Sequence, residues 1–400
     1  MTVSIFSSVE MAPRDPILGI TEAFNADSRT SKVNLGSGVY CDDSGKVPLL
    51  DVVRKVERAR LESMPSHGYL PIDGLAAYNK AVQAMLFGKD SPLLAEGRVV
   101  TAQALGGTGA LKIGADYLKR LRPDAAVHIS SPSWENHRAI FENAGFKVDT
   151  YPYYDAATRG VDFAAMKSAL GALPAGSIVV LHACCHNPTG ADLSAAQWRE
   201  LVEISRARAL VPFIDMAYQG FADGIGEDAV ALELFAASGL QFFISTSCSK
   251  SFSLYGERIG ALSVVTASRD ESARVLSQIK RVIRFNYSSP PTLGGAIVAA
   301  VLASAELRQA WESELAGMRE RIKQMRGGLA DRLKAAGVAQ DFSFITRQRG
   351  MFSYTGLDAG QVARLQSEFG VYAVNTGRIC VAALNSGNID YVAKAIAAVL

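Results

Sequence analysis

Residues 178–190 read Ile-Val-Val-Leu-His-Ala-Cys-Cys-His-Asn-Pro-Thr-Gly, a run with strand character through Ala183 that breaks into a polar turn. A short apolar run bounded by turn residues suits a strand buried on both faces, as in a parallel sheet covered by helices. Similar runs flank it at Val127–Ser130, Val211–Asp215, Phe242–Ser245 and Gly260–Val265. Helical patterns separate them at Ala110–Leu121, Asn136–Ala144 and Ala195–Ala209. This alternation predicts a three-layer α/β domain on a mostly parallel sheet.

Toward the C-terminus the period changes. Leu307, Trp311, Leu315, Met318, Ile322, Met325, Leu329 and Leu333 recur at spacings of 3 and 4, one apolar stripe along a long helix. Gly327-Gly328 predicts a bend or boundary within it. Phe342–Phe344, Met351–Tyr354, Val371–Val374 and Arg378–Ala382 read as short strands of a smaller α+β domain beyond the helix.

The 400 residues are enough to bury a large core without metals or disulfides. With 41 Lys+Arg against 39 Asp+Glu, bulk electrostatic binding of nucleic acid is excluded. Five cysteines without a C-x-x-C pair suit reduced thiols in a cytoplasmic protein. The first residues lack the basic and apolar regions of a signal peptide. Ser168–Ala191 and Phe285–Ala305 are long and uncharged, but prolines and polar residues interrupt both, well short of the ~20 apolar residues a bilayer needs. No membrane association is expected.

Ligands of open α/β sheets sit beyond the carboxyl ends of the strands. Four turns belong there: Gly106–Gly109, Cys184–Gly190, Asp215–Tyr218 and Ser245–Lys250. The first opens a helix, where backbone N–H groups and the Thr108 hydroxyl favour an anion, although a plain tight turn reads the same way. It is neither a P-loop nor a dinucleotide fingerprint, since Lys112 stands where the third glycine belongs. Lys250 follows an apolar strand among small hydroxyl residues. Partial withdrawal from water lowers its pKa and frees the neutral amine to attack a carbonyl; a solvated surface lysine is the alternative. Asp215 ends a buried strand and needs a cationic partner, either a protonated ring nitrogen or a neighbouring Arg or Lys. Arg258 suits either that ion pair or a phosphate. Cys184, Cys185 and His186 are adjacent in sequence, and side chains that alternate between faces cannot converge on one ion. His67, His128, His137, His182 and His186 show no zinc spacing, and G-x-S-x-G is missing. No metal is expected.

With these residues in view, the chain resembles the fold-type I, subgroup Iα, pyridoxal-phosphate-dependent aminotransferases from Asp15 to its C-terminus. The resemblance rests on VNLGSGVY, YLPIDG, GGTGALK, SPSWENH, HACCHNPTG, DMAYQGF, SCSKSFSLYGERIGALSV, NYSSPP, GMFSYTGL and GRICVAAL. It is similar first to bacterial aromatic-amino-acid (tyrosine) aminotransferases and next to aspartate aminotransferases. The resemblance implies a large domain over residues 48–317 and a small one from 1–47 plus 318–400. It implies that Lys250 holds pyridoxal 5′-phosphate covalently and, once freed, moves the proton at the substrate Cα. Asp215 would pair with the ring nitrogen, with His137 behind it. Tyr218 and Asn187 would bond the ring oxygen, and Trp134 would stack on the ring. Gly107, Thr108, Ser247 and Arg258 would bind the phosphate, with Tyr69 reaching in from a second subunit. Arg378 would clamp the substrate α-carboxylate, helped by Gly38 and Asn187. Arg284, again from the partner, would meet a distal carboxylate.

A cytoplasmic homodimer follows from the resemblance. Its reaction would be ping-pong amino transfer from aromatic amino acids, or aspartate and glutamate, to 2-oxoglutarate; the alternative is a dedicated aspartate aminotransferase. Ser37 stands where an isoleucine is usual, while Thr108 follows the aspartate pattern and Ser289 the aromatic one. A lyase or decarboxylase of the same fold would keep Lys250 and Asp215 without needing Arg284. A regulator built on the fold would carry a DNA-binding domain, for which the lead before Asp15 is too short.

Overall fold

The computed structural model describes residues 4–66 and 68–400, so His67 lies outside the described residues. Its centre is a seven-stranded sheet of β1 (Val99–Leu105), β2 (Ala126–Ser131), β3 (Lys147–Pro152), β4 (Ile178–His182), β5 (Val211–Met216), β6 (Phe242–Ser247) and β7 (Ile259–Val265), in the order β1-β7-β6-β5-β4-β2-β3. β7 runs antiparallel to both its neighbours and the remaining pairs are parallel. The five strands expected in this sheet are all present. β1 and β3 were not expected. They are the edge strands, and the alternating exposure of β3 departs from the continuous apolar run of an inner strand.

Every residue of β4 is buried, and the pleat sends alternate side chains to opposite layers. Ile178 and Val180 join Leu111 and Leu118 of α1 (Gly106–Leu121) in one apolar layer. Val179 and Leu181 join Trp198 and Leu201 of the opposite layer. Those two belong to α3 (Ala195–Ala207), which follows α2 (Glu135–Asn143) in the chain. Ser194 and Gln197 start α3 with a reciprocal capping box that satisfies two otherwise orphaned N–H groups.

After α4 (Arg269–Asn286), α5 (Leu293–Ala303) turns by 104° into α6 (Ala305–Ala335). Among the described residues, no single helix is long and apolar enough to cross a membrane. The apolar stripe of α6 serves two cores. Trp311, Leu315, Met318 and Ile322 pack with the sheet, whereas Leu329 and Leu333 pack with Leu35, Ile379, Val392 and Ile396.

Two expectations are corrected here. α6 runs through Gly327-Gly328 without a break. A Cβ on Gly328 would lie 3.2 Å from Ile389 Cδ1, so that glycine lets α7 (Ile389–Val399) approach closely and marks no break. Phe342–Phe344 is not a strand. Asp341 accepts hydrogen bonds from the Ser343 N–H at 2.8 Å and hydroxyl at 2.7 Å, and that turn leads into a short helix, Phe344–Arg347. The other C-terminal strands are present but shorter. β8 (Phe352–Tyr354) and β9 (Arg378–Cys380) pair antiparallel, and Val371–Tyr372 pairs parallel with Val33–Asn34.

Candidate active site

The carboxyl ends of β1, β4, β5 and β6 lie along one sheet edge. Because β7 is antiparallel, its amino end lies there too and brings Arg258 with it. A cleft of about 490 Å³ opens above that edge, floored by the sheet and closed on the far side by Gly38, Phe352 and Arg378.

At one end of the cleft is the first turn of α1. It has no acidic side chain and no side-chain cap, so its N–H groups face the cleft unneutralised. Gly106 has φ +68°, and a Cβ there would fall 2.5 Å from Arg258 Nη2. A Cβ on Gly107 would lie 3.2 Å from Ser247 Cβ. The glycines therefore let a guanidinium and a serine close on a helix N-terminus. Arg258 spends its hydrogen bonds on the Tyr255 carbonyl at 2.8 Å and Ser249 Oγ at 3.4 Å, neither of them charged. Its backbone is held at φ +53°, a left-handed conformation costing about 1–2 kcal/mol for a residue with a Cβ. This is a built anion cradle.

Lys250 lies in the turn after β6, half-buried, with Nζ 4.8 Å from the centre of the Tyr218 ring. Burial lowers its pKa to about 8, against the pull of Asp215 and with the help of Arg258. Asp215 occupies a register position directly between His182 of β4 and Ser245 of β6. Ser245 Oγ donates to it at 2.7 Å, and His137 Nε2 lies 3.0 Å from its other oxygen. Burial alone would raise the carboxyl pKa, but His137, with His182 and Ser245, outweighs it and holds the value below the usual range. The group therefore stays an anion in a buried place. His137 is fixed in turn by Ser133 Oγ at 3.0 Å and meets the Trp134 ring edge-on at 5.3 Å.

Across the cleft, Arg378 is 1% exposed. It donates to Asn187 Oδ1 at 3.1 Å and the Gly36 carbonyl at 2.8 Å, its Cζ lies 4.3 Å from the Phe352 ring centre, and Nε has no partner among the described residues. A buried guanidinium without a carboxylate is costly unless something anionic visits it.

The cleft thus gathers Gly38, Gly107, Thr108, Trp134, Asn187, Asp215, Tyr218, Ser247, Lys250, Arg258 and Arg378. Two expected residues are elsewhere on this chain. Tyr69 is 97% exposed, and Arg284 is exposed on the last turn of α4, bonded to Ser288 Oγ. His182, Ser249, Tyr255 and Phe352 also line the cleft and were missed as site residues. All four lie within stretches quoted above, His182 in HACCHNPTG, Ser249 and Tyr255 in SCSKSFSLYGERIGALSV and Phe352 in GMFSYTGL, but no residue pattern there assigns them a role. Burial and the neighbouring His137 push His182 down to about 3, so its ring is neutral.

The expectation for Cys184, Cys185 and His186 is corrected in part: the His186 ring nitrogens bond Ser130 Oγ at 2.9 Å and Thr189 Oγ1 at 2.8 Å, apart from the two cysteines. Cys184 and Cys185 sulfurs do converge, within 4.8 Å of each other and of an Asp228 oxygen, because Cys185 sits at φ +51° and departs from the strand pleat. Asp228 already accepts the N–H groups of Gly220, Ala222, Asp223 and Gly224. Burial pushes the Cys185 thiol well up, so the group offers no thiolate there.

Residues 30–396 match the family model "Aminotransferase class I and II". The chain belongs to that family. It is 64% identical over 398 residues, covering 100% of both chains, to a protein of Pseudomonas aeruginosa named aspartate aminotransferase. To an Escherichia coli protein named aromatic-amino-acid aminotransferase it is 51% identical, covering 99% of this chain and 100% of that one. Its fold superposes with a TM-score of 0.97, at 67% identity and full coverage of both chains, on a Burkholderia pseudomallei aromatic-amino-acid aminotransferase solved covalently bound to pyridoxal phosphate.

Proposed function

We propose that this chain is an aminotransferase that uses pyridoxal 5′-phosphate to move the amino group of aromatic amino acids, and of aspartate or glutamate, to 2-oxoglutarate. The observation that carries the reading is Arg378, buried, with neither a carboxylate partner nor a partner for Nε among the described residues, facing the same cleft as a lysine of lowered pKa. The residues fit the cofactor. The glycine turn and Arg258 make a cradle that a Cβ would fill, Asp215 holds a buried negative charge, and Trp134 and Tyr218 supply ring surfaces. When bound, pyridoxal phosphate supplies a carbonyl that captures amines and a conjugated ring that takes up electrons.

The protein's own residues do the rest. Arg378 and Asn187 grip the α-carboxylate of the incoming amino acid, and Gly38 leaves room for it. Gly107, Thr108, Ser247 and Arg258 hold the phosphate, with Tyr69 of the partner subunit. Asp215, kept ionised by His137 and Ser245, stabilises positive charge at the ring-nitrogen position. Tyr218 and Asn187 bond the ring oxygen. Lys250, whose amine is neutral above about pH 8, takes the proton from the substrate Cα and returns it elsewhere. Arg284 of the partner meets a distal carboxylate and swings to solvent when the side chain is aromatic, since a buried unpaired cation there would cost several kcal/mol. The enzyme is a homodimer with shared sites, folded in two domains (48–317, and 1–47 with 318–400). We place it in the cytoplasm, in keeping with its five free thiols.

The P. aeruginosa relative's name favours a second reading, a dedicated aspartate aminotransferase. The visible spectrum of the holoenzyme decides between them. Phenylalanine and aspartate, each added without an oxo acid, should both shift the cofactor band; a shift with aspartate alone selects the second reading. Arg284→Leu should then lose aspartate turnover at least tenfold more than phenylalanine turnover, and equal losses would refute Arg284's role.

A further inference from the structure

One helix, α6, contacts two segments that line the cleft, the lysine turn and the stretch that leads to Phe352. Near the start of α6, Trp311 stacks on Phe252 at 4.4 Å between ring centres and donates its indole N–H to the Ser251 carbonyl at 2.7 Å, directly behind Lys250. Fifteen residues further on along the same helix, Arg326 is 2% exposed. It has no carboxylate partner among the described residues. Its guanidinium is spent on three backbone carbonyls: Ile345 at 3.1 Å, Gly350 at 2.7 Å and Phe352.

A fully buried cation that binds only carbonyls pays for desolvation without a countercharge, and the apolar residues around it could fill the space more cheaply. The fork geometry of arginine is what the position uses: one planar group ties three points of one loop. That loop ends in Phe352, whose ring lies 4.3 Å from the Arg378 guanidinium. It also packs against the turn that carries Asn187. A Cβ on Gly190, at φ +68°, would fall 2.8 Å from the Phe352 carbonyl, and Arg349 N–H donates to the Gly190 carbonyl at 2.7 Å. The Phe352 ring under Arg378 and the Asn187 oxygen beside it therefore meet at the joint that Arg326 ties.

We propose that Arg326 is a positioning residue for the substrate-carboxylate site, holding Phe352 and the adjoining Asn187 turn so that Arg378 keeps its aim. This rests on the reading of Arg378 as the carboxylate clamp. The same helix then serves two separable tasks: Trp311 supports the lysine turn and Arg326 the carboxylate end.

The test uses the holoenzyme and 3-phenylpropanoate, a carboxylate without an amine, titrated by the absorbance of the bound cofactor. Arg326→Met should raise the Kd for this probe and the KM for phenylalanine about tenfold, with kcat changed less and the pH midpoint of the cofactor band unmoved. Arg326→Lys, which keeps the charge but loses the fork, should fall between. Trp311→Phe should move the pH midpoint and leave the probe's Kd within about twofold. If Arg326→Met does not fold, Arg326→Lys and Phe352→Leu carry the comparison, and each should raise the Kd several-fold. A Kd within twofold of the parent in the folded Arg326 variants overturns the proposal. Arg378→Lys is the separate control: if it leaves the Kd unchanged, the clamp reading itself has failed, and if it alone raises the Kd, only the role of Arg326 has.

Discussion

Lys250 is an amine in a place with little water, and its depressed pKa has a consequence for stability. In the cofactor-free protein the folded-state value is about 8 against 10.5 for the free side chain. Between those values the unfolded chain binds the proton and the folded chain has released it, so stability rises with pH across the window. The penalty is complete below pH 8 and relieved above it. Lys250→Met removes the group, so its stability should rise less than the parent's between pH 7.5 and 9.5 in urea unfolding. The same rise in both proteins would mean that the lysine is not desolvated. Asp215 is the converse case, an acid kept ionised in a buried place by the register of its strand. Lys250 and Asp215 were legible in the sequence because each directly follows or ends an apolar run. The neighbours that tune Asp215, namely Ser245, His137 and His182, come from other elements, and only the resemblance pointed to His137.

At the scale of elements, α6 shows how a local rule yields to packing. Glycine costs about 1 kcal/mol against alanine in a helix interior, and that cost argued for a bend at Gly327-Gly328. The helix absorbs it because one of the two glycines is needed. A Cβ on Gly327 meets nothing within 4 Å, whereas one on Gly328 meets Arg332 Nη1 at 3.1 Å and Ile389 Cδ1 at 3.2 Å. Gly327→Ala should therefore stabilise the protein by about 0.5–1 kcal/mol. Gly328→Leu should destabilise it by about 1–3 kcal/mol, by forcing α6 and α7 apart. Urea midpoints of the two variants check both signs. The period of the apolar stripe was legible, but the switch of that stripe from one core to another was not. Spacing says which face is buried and is silent on what covers it.

At the scale of the whole molecule, the proposed site is larger than one chain. Tyr69 and Arg284 are exposed here and lie outside the cleft lining, which suits side chains that serve a partner's site. Mixing can test this. A Lys250→Ala chain has no working site of its own but still lends Arg284, and an Arg284→Ala chain lends no arginine but keeps its own lysine. If sites are shared across a twofold interface, random re-pairing of the two inactive proteins should restore aspartate turnover to about a quarter of the parent's. A mixture no more active than its components would place Arg284 outside the partner's site.

The sequence by itself determined the alternation of buried strands and helices, the turns that follow those strands, and so the lysine, the aspartate and the glycine turn of the site. These are local properties, set by residues adjacent along the chain. Only the tertiary structure decided what stands beside them. Arg378 binds an asparagine 191 residues away and a carbonyl 342 residues away, and its aromatic neighbour and the buried arginine behind that neighbour come from two further segments. Whether a buried charge has a partner depends on which distant segments fold against it, and no period or spacing within one segment contains that information.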